Sequence, residues 1–392
     1  MKPTIVQIKK FAGLRSQISP DRMTVGDLIS AVNVRIDETG QASRRRGFST
    51  VIATHSHSLW SQGPMTLGVV GGNLVRINPG YSTTVLASGL RGYAVYETVE
   101  DRVYWSCANA CGIVEGGANR SWGLEVPAPI IGQSAGRLPA GVYQAVATFR
   151  RGDRQESGAS AAFVLSVPAD GGVSIAAPMT ADPGVEACVL YISTPGGSTL
   201  YRAGECAPGD SFIYSGDSTD LTIPLQTQFL DRAVPCGAMA FYAGRMWLAV
   251  GSALYPSEPF SLELFDYRKD VPFPATVRMI APQRGDAAGM FVGTDAGVVY
   301  LQGADPDTLQ VSDRSADPVL AGSLVYVPGE LMGDGELSGQ QIPVWATSKS
   351  FCAGMPDGSM RSLTINRHPL SLKGPAAMYF DADLKQLVLS AA

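Results

Sequence analysis

His55 and His57 stand two residues apart, so a strand places both imidazoles on one face, as two metal ligands require. No third ligand lies near them in sequence, and the remaining histidine, His368, is far along the chain. The expectation is no metal site and no cofactor. Cys107 and Cys111 flank a predicted turn, a spacing that suits a bridge or half of a metal site. No second pair accompanies them, so buried free thiols are expected. Carboxylates two apart recur at Asp305 and Asp307, Asp334 and Glu336, and Asp381 and Asp383. A glycosidase needs two carboxyls across a cleft, which spacing along one segment does not supply. The first two pairs sit beside Gly or Pro, where turn formation is the ordinary reason for Asp. The chain has no G-x-S-x-G elbow, P-loop, H-E-x-x-H or strand-borne G-x-G-x-x-G. Nothing in it therefore points to an enzyme.

The sharpest local charge is Arg44-Arg45-Arg46, with Lys9 and Lys10 upstream. On a strand, Arg44 and Arg46 share a face and Arg45 takes the other. Residues 1–50 hold nine Lys or Arg against four Asp or Glu, so this segment is +5 while the remainder is −10. An arm opposite in sign to its body suits docking on an acidic neighbour or on DNA phosphate. A solvated edge strand guarded by charge is the plainer alternative. The overall charge of −5 argues against a general nucleic-acid binder held by a basic surface.

The elements that position these residues are strands. The chain has 392 residues, of which Gly and Pro together make up about 18%, against about 12% in average usage. Its six cysteines are too sparse for a disulfide scaffold. No run approaches the roughly 18 apolar residues of a membrane-spanning helix, and Met1-Lys2-Pro3-Thr4 lacks the start of a signal peptide. A protein neither membrane-spanning nor exported by the usual route is expected.

Apolar run, tight turn, apolar run is the dominant pattern, as at Leu67–Ile77 around Gly71-Gly72-Asn73 and Phe291–Leu301 around Asp295-Ala296-Gly297. With Leu67, Tyr104, Trp247, Phe291 and Phe351 taken as equivalent starts, the gaps are 37, 143, 44 and 60 residues. Removing an insert of about 90 residues from the long gap leaves units of roughly 40 to 50, the size of a β-propeller blade. The insert carries about seven short strands, beginning with the alternating Gly141–Phe149, and reads as an immunoglobulin or fibronectin type III-like sandwich. One helix is expected over Thr24–Asn33, with Thr24 as N-cap and Asp27 in capping-box position. Of Trp60, Trp105, Trp122, Trp247 and Trp345, at least four are expected in the core rather than stacking on sugar. The fold class is thus all-β. A β-propeller of about five to seven blades is interrupted by a β-sandwich and preceded by an N-terminal arm carrying one short helix. The expected segments are 1–50 (arm), 51–135 (first propeller part), 136–228 (sandwich) and 229–392 (second propeller part). An early strand near Ile5–Lys10 is expected to pair with Lys385–Leu389 and close the ring.

Asn33, Asp37, Gly40, Arg44 or Arg46, and Gly47 follow a pattern that resembles the opening of structural proteins of tailed bacteriophages. Ala243–Gly251, Tyr255–Glu258 and Gly289–Gly297 are similar to later parts of the same class. The role it resembles most is the tail nozzle of short-tailed phages, the packaged-DNA stabilisation or tail hub family. That resemblance implies a virion protein assembled in the bacterial cytoplasm, six copies forming a ring below the portal and adaptor. The ring extends and gates the DNA ejection channel, so the implied partners are further copies, the portal-adaptor ring, tail fibres or spikes, and packaged DNA met without sequence specificity. The inserted sandwich departs from the family and leaves open an attachment role for fibres. Arg44, Arg45, Arg46, Lys9 and Lys10 are the candidate partner or DNA contacts, and Asp305, Asp307, Asp334 and Glu336 mark candidate lumen or interface loops. The alternatives are a tail-fibre connector or host-glycan-binding module and, second, a propeller glycosidase or lyase.

Overall fold

The computed structural model describes residues 10–37, 39–45, 47–284, 289–333 and 335–391. Among them there is no α-helix, only strands and short 3-10 turns. No helix there is long and apolar enough to cross a membrane.

Five sheets are built the same way, each of four consecutive antiparallel strands. The first blade runs from Ser56–Gln62 to Thr83–Ala87, and the second from Val95–Val99 to Ala118–Arg120. The third runs from Ala238–Tyr242 to Ser261–Phe265, with Val271–Pro272 added to its third strand. The fourth spans Val277–Pro282 to Gln310–Ser315 and the fifth Val325–Pro328 to Met360–Ser362. Among the described residues a sixth unit is a hairpin, Ala376–Asp381 paired with Gln386–Ala391. The tight turns are set by backbone chemistry. Val70 pairs with Asn73, and the two residues between them, Gly71 and Gly72, have φ of 58° and 75°. Positive φ at both positions matches the twist of a hairpin and is cheapest for glycine.

The second to fifth blades are apolar on both faces because each is covered by a neighbour on each side. Trp105 of the second blade packs with Leu67, Val69 and Leu74 of the first. Tyr104 and Ile113 turn the other way, against Met246, Leu248 and Phe265 of the third. Trp247 then meets Val292 and Leu301, Phe291 meets Trp345, and Val344 meets Met378 of the sixth hairpin. Four tryptophans, Trp105, Trp122, Trp247 and Trp345, are fully buried in these seams, while Trp60 is half-buried. Four of the five repeat starts fall on second strands. Phe351 lies on a third strand, and Trp345 holds the equivalent place on Gln341–Ala346. The loop Gly329–Gln340, which lengthens the first hairpin of that blade, shifted the spacing.

Between the second and third blades stands a two-sheet sandwich. Three strands, Ile130–Leu138, Gly171–Ala176 and Ser211–Tyr214, face four, with Gly141–Arg151 and Val185–Ser193 at the centre of the larger sheet. Tyr143, Phe149, Leu190 and Ile192 from one sheet meet Leu138, Val173 and Ile175 from the other.

The helix expected over Thr24–Asn33 does not form. Gly26 has φ of 106° and its position would bring a Cβ within 2.6 Å of the Lys10 carbonyl oxygen, so the chain turns there. Asp27–Leu28 pairs in parallel with Gly13–Leu14 instead. The capping-box contact survives in part, because the Thr24 backbone N–H and hydroxyl both donate to Asp27 Oδ2, at 3.0 and 2.7 Å. The β-branched Val25, Ile29 and Val32 weaken the helix that this cap would start. The short helical element of the arm is a 3-10 turn at Pro20–Arg22. The arm then lies along the end of the chain: Ser16 Oγ is 2.8 Å from His368 Nδ1, and Gln386 Nε2 donates to the Ile36 carbonyl at 3.3 Å. The pairing expected for Ile5–Lys10 falls mostly outside the described residues.

Candidate functional site

Two places stand out, the axial cavity of the propeller and the outer surface of the arm. The first strands of the blades converge on a cavity of about 1330 Å³. Trp60, Glu97, Phe241, Ile280, Tyr326 and Tyr379 reach it, one from each blade in turn. Alternation along Val95-Tyr-Glu-Thr-Val99 sends Val95 and Val99 into the seam with the third blade, while Tyr96 stacks on Trp60 toward the first. Burial pushes the Glu97 carboxyl up to about 7, against the pull of Arg284 and of the Thr98 and Phe241 backbone N–H groups. The Arg284 guanidinium lies over the Tyr326 ring, 3.8 Å from its centroid. The Tyr326 hydroxyl donates to the Pro282 carbonyl at 2.9 Å. Arg278, also at the cavity, is already paired with Asp295 at 2.7 Å and holds that carboxyl below the usual range.

The arm carries its apolar residues outward. Phe48 is 98% exposed, Val32 77% and Val25 68%, with Ile29 and Val51 also exposed. Arg44 closes the strand Ala42–Arg44, opposite Val34, and Arg45 follows it with its N–H bonded to the Asn33 carbonyl. Both are exposed, as is Lys10. Lys9 and Arg46 lie outside the described residues. The exposed arm is therefore basic and apolar together.

The other expected site residues are spread over separate turns. Asp305 caps the 3-10 turn Pro306–Thr308, accepting the Asp307 N–H at 3.1 Å. Its neighbour Ala304 reaches the axial cavity. Glu336 lies in the 3-10 turn Gly335–Leu337, and Asp334 is outside the described residues. The loop around it is pinned: Glu330 Oε1 accepts the Gly339 N–H at 2.8 Å, and the Gly329 N–H donates to the Gln340 carbonyl. The His55 and His57 rings lie 5.6 Å apart, and His57 packs edge-on against Tyr93. Among the described residues no group of three His, Cys, Asp or Glu side chains is gathered as metal ligands would be. Cys107 and Cys111 are free thiols, and Cys188 and Cys206, also free, are directly opposed on neighbouring strands. Burial pushes the Cys111 thiol up to about 11 and the Cys188 thiol up to about 12, far from the nucleophilic range.

Sequence reasoning missed the Glu97, Arg284 and Tyr326 grouping because it joins the second, fourth and fifth blades. The one available signal was a carboxylate in the middle of an otherwise apolar and aromatic strand. It also missed the junction that fixes the sandwich. Glu263 accepts from Arg120 at 2.7 and 2.9 Å, from Arg151 at 3.3 Å and from the Gly123 N–H at 3.0 Å. Arg151 also donates to Asp182 at 2.9 Å and Ser121 at 3.1 Å.

No protein-family model matches the chain, and no curated protein matches it. Among solved structures it is similar to PorZ, a surface component of the type-IX secretion system of Porphyromonas gingivalis, at 13% identity over 89% of this chain and 52% of that one, with a TM-score of 0.26. The extracellular domain of a hybrid two-component system from B. thetaiotaomicron matches at 10% identity over 90% and 60%, TM-score 0.26. Dipeptidyl peptidase 4 of P. gingivalis matches at 8% identity over 85% and 46%, TM-score 0.29. The chain spans about half to three-fifths of the length of these proteins. Function has to be argued from its own residues.

Proposed function

We propose that this chain is a structural protein of the virion, the nozzle of a short phage tail. Six copies would form a ring beneath the portal and its adaptor, extending and gating the path of the ejected DNA. The observation that carries this reading is the arm: Phe48, Val32 and Val25 stand in solvent on a segment of charge +5, attached to a body of charge −10. Several large apolar side chains exposed on one short segment are a surface that another subunit would cover, with opposite charge setting its register. A head-to-tail ring closes when each copy offers one arm and receives one.

The propeller axis is not the DNA path in this reading. A cavity of about 1330 Å³ is close to the size of ligand pockets, roughly 300–1,000 Å³, and is crossed by Glu97, Phe241 and Tyr326. Duplex DNA instead passes the outer loops, held only by backbone contacts and without sequence readout. The function is assembly and gating, with no covalent step. Electron microscopy of the protein mixed with the portal-adaptor complex tests it. Sixfold density below the adaptor is the expected result. Density confined to peripheral fibres would move the protein to the connector or glycan-binding role, and absence from the particle would reject a virion role.

A further inference from the structure

The axial cavity is lined by one acidic and one basic side chain, Glu97 and Arg284, that form no ion pair with each other. Among the described residues no side chain makes an ion pair with Glu97 or with Arg284; Arg284 has the Tyr326 side chain as its hydrogen-bond partner, and Glu97 feels its charge. Arg284 is exposed to the solvent, keeps one face on the Tyr326 ring and hydrogen-bonds that side chain, which fixes the plane of its guanidinium and leaves its other N–H groups to whatever enters. Glu97 lines the same cavity from another blade, close enough for its charge to be felt by both Arg284 and Tyr326. Between them the walls are largely apolar, with Met239, Ile280 and Leu324 among the lining residues. A cavity with apolar walls and a few fixed polar groups at its ends is how a small-molecule site is built.

We infer that the axial cavity binds a small zwitterion, an amino acid or short peptide, with its ammonium group on Glu97 and its carboxylate on Arg284. An anion alone would leave the Glu97 carboxylate unpaired beside it, and a cation alone would leave Arg284 unpaired. A ligand carrying both charges satisfies both in one step. The site is independent of the assembly reading, since it lies within one propeller.

Glycine, diglycine, triglycine and tetraglycine serve as a ruler, with binding followed by calorimetry and by the fluorescence of Trp60, which lines the cavity. One length is expected to bind best. Acetylating its amine or amidating its carboxylate should each weaken binding roughly tenfold or more, the loss typical of one charged hydrogen-bonded contact. The variant E97Q should lose the preference for the free amine, and R284Q the preference for the free carboxylate. The capped peptides test the same contacts on the unaltered protein, so the result does not depend on either variant folding. Absence of binding by every member of the series overturns the proposal. So does equal binding of capped and uncapped forms, or wild-type selectivity in a folded E97Q or R284Q protein.

Discussion

Arg151, at the end of a sandwich strand, donates to Glu263, on the outer strand of the third blade, at 3.3 Å. The two are 112 residues apart and both are buried. Glu263 is shared with Arg120 of the second blade, so one carboxylate ties the sandwich to both blades between which it is inserted. The sandwich is therefore held in one orientation by charge and geometry as well as by its linkers.

Removing that carboxylate should be costly. Glu263→Ala leaves Arg120 with Glu115 as its one acidic partner, beside the Ser121 carbonyl, and Arg151 with Asp182 and its neutral neighbours. Breaking a buried pair from one side costs about 3–5 kcal/mol, since the surviving charge keeps its desolvation penalty. Urea unfolding should show a loss of that size. Glu115→Ala, which removes a half-exposed partner of Arg102 and Arg120, should cost about 1 kcal/mol or less. Equal losses in the two variants would mean that the junction does not depend on Glu263.

Glu97 gives the fold a pH dependence of defined sign. Its carboxyl is pushed up to about 7 by burial, from an ordinary 4.5, while Arg284 and the Thr98 and Phe241 N–H groups pull down; the Tyr326 phenol also faces it. Between those two values the folded state holds a proton that the unfolded state has released. Stability is thus full below about 4.5 and falls as pH rises through about 7, by up to about 3 kcal/mol. Unfolding measured near pH 5 and near pH 8 should reveal the decline, and E97Q should abolish it. A decline of the same size in E97Q would assign it to other groups.

Most of the architecture was legible because hairpin turns are local. Gly71-Gly72 and Asp295-Ala296-Gly297 announce their turns by composition, and the apolar runs beside them are largely buried. The arm was misread where local and distant signals compete. Thr24 and Asp27 do make a capping contact, yet Gly26 packs against Lys10 and the turn is not repeated. Glu97, Arg284 and Tyr326 carry no common motif, because only the arrangement of the blades around one cavity brings three of them together. Glu263 was invisible for the same reason: its partners come from two other units of the chain.

The arm can be tested apart from the fold. Phe48 and Val32 are almost wholly exposed, so Phe48→Ser with Val32→Ser should change monomer stability by no more than about 0.5 kcal/mol. The same pair should weaken association with further copies and with the portal-adaptor ring, as read by sedimentation. Arg44→Glu with Arg45→Glu should slow that association and flatten its salt dependence, because exposed charges act through screened, long-range attraction. Unaltered sedimentation in both variants would remove the arm from the interface.

The end of the chain should matter more than its position suggests. Among the described residues Gln386–Ala391 is one of two strands in the sixth blade, and Leu387 and Leu389 pack with Phe380 and Met378 over Val327 and Val344 of the fifth. Deleting residues 385–392 strips the partner from Ala376–Asp381, uncovers that seam, and removes the Gln386 contact to Ile36 that holds the arm. Each half-buried leucine contributes on the order of 1–2 kcal/mol, and a lone strand cannot retain its ladder. The deletion should therefore cost several kcal/mol and lower the melting temperature by many degrees, with the fifth blade losing amide-exchange protection first. The first and second blades meet across the Trp105 seam and should keep theirs longest. A melting curve indistinguishable from that of the full chain would show that the ring is closed by other residues.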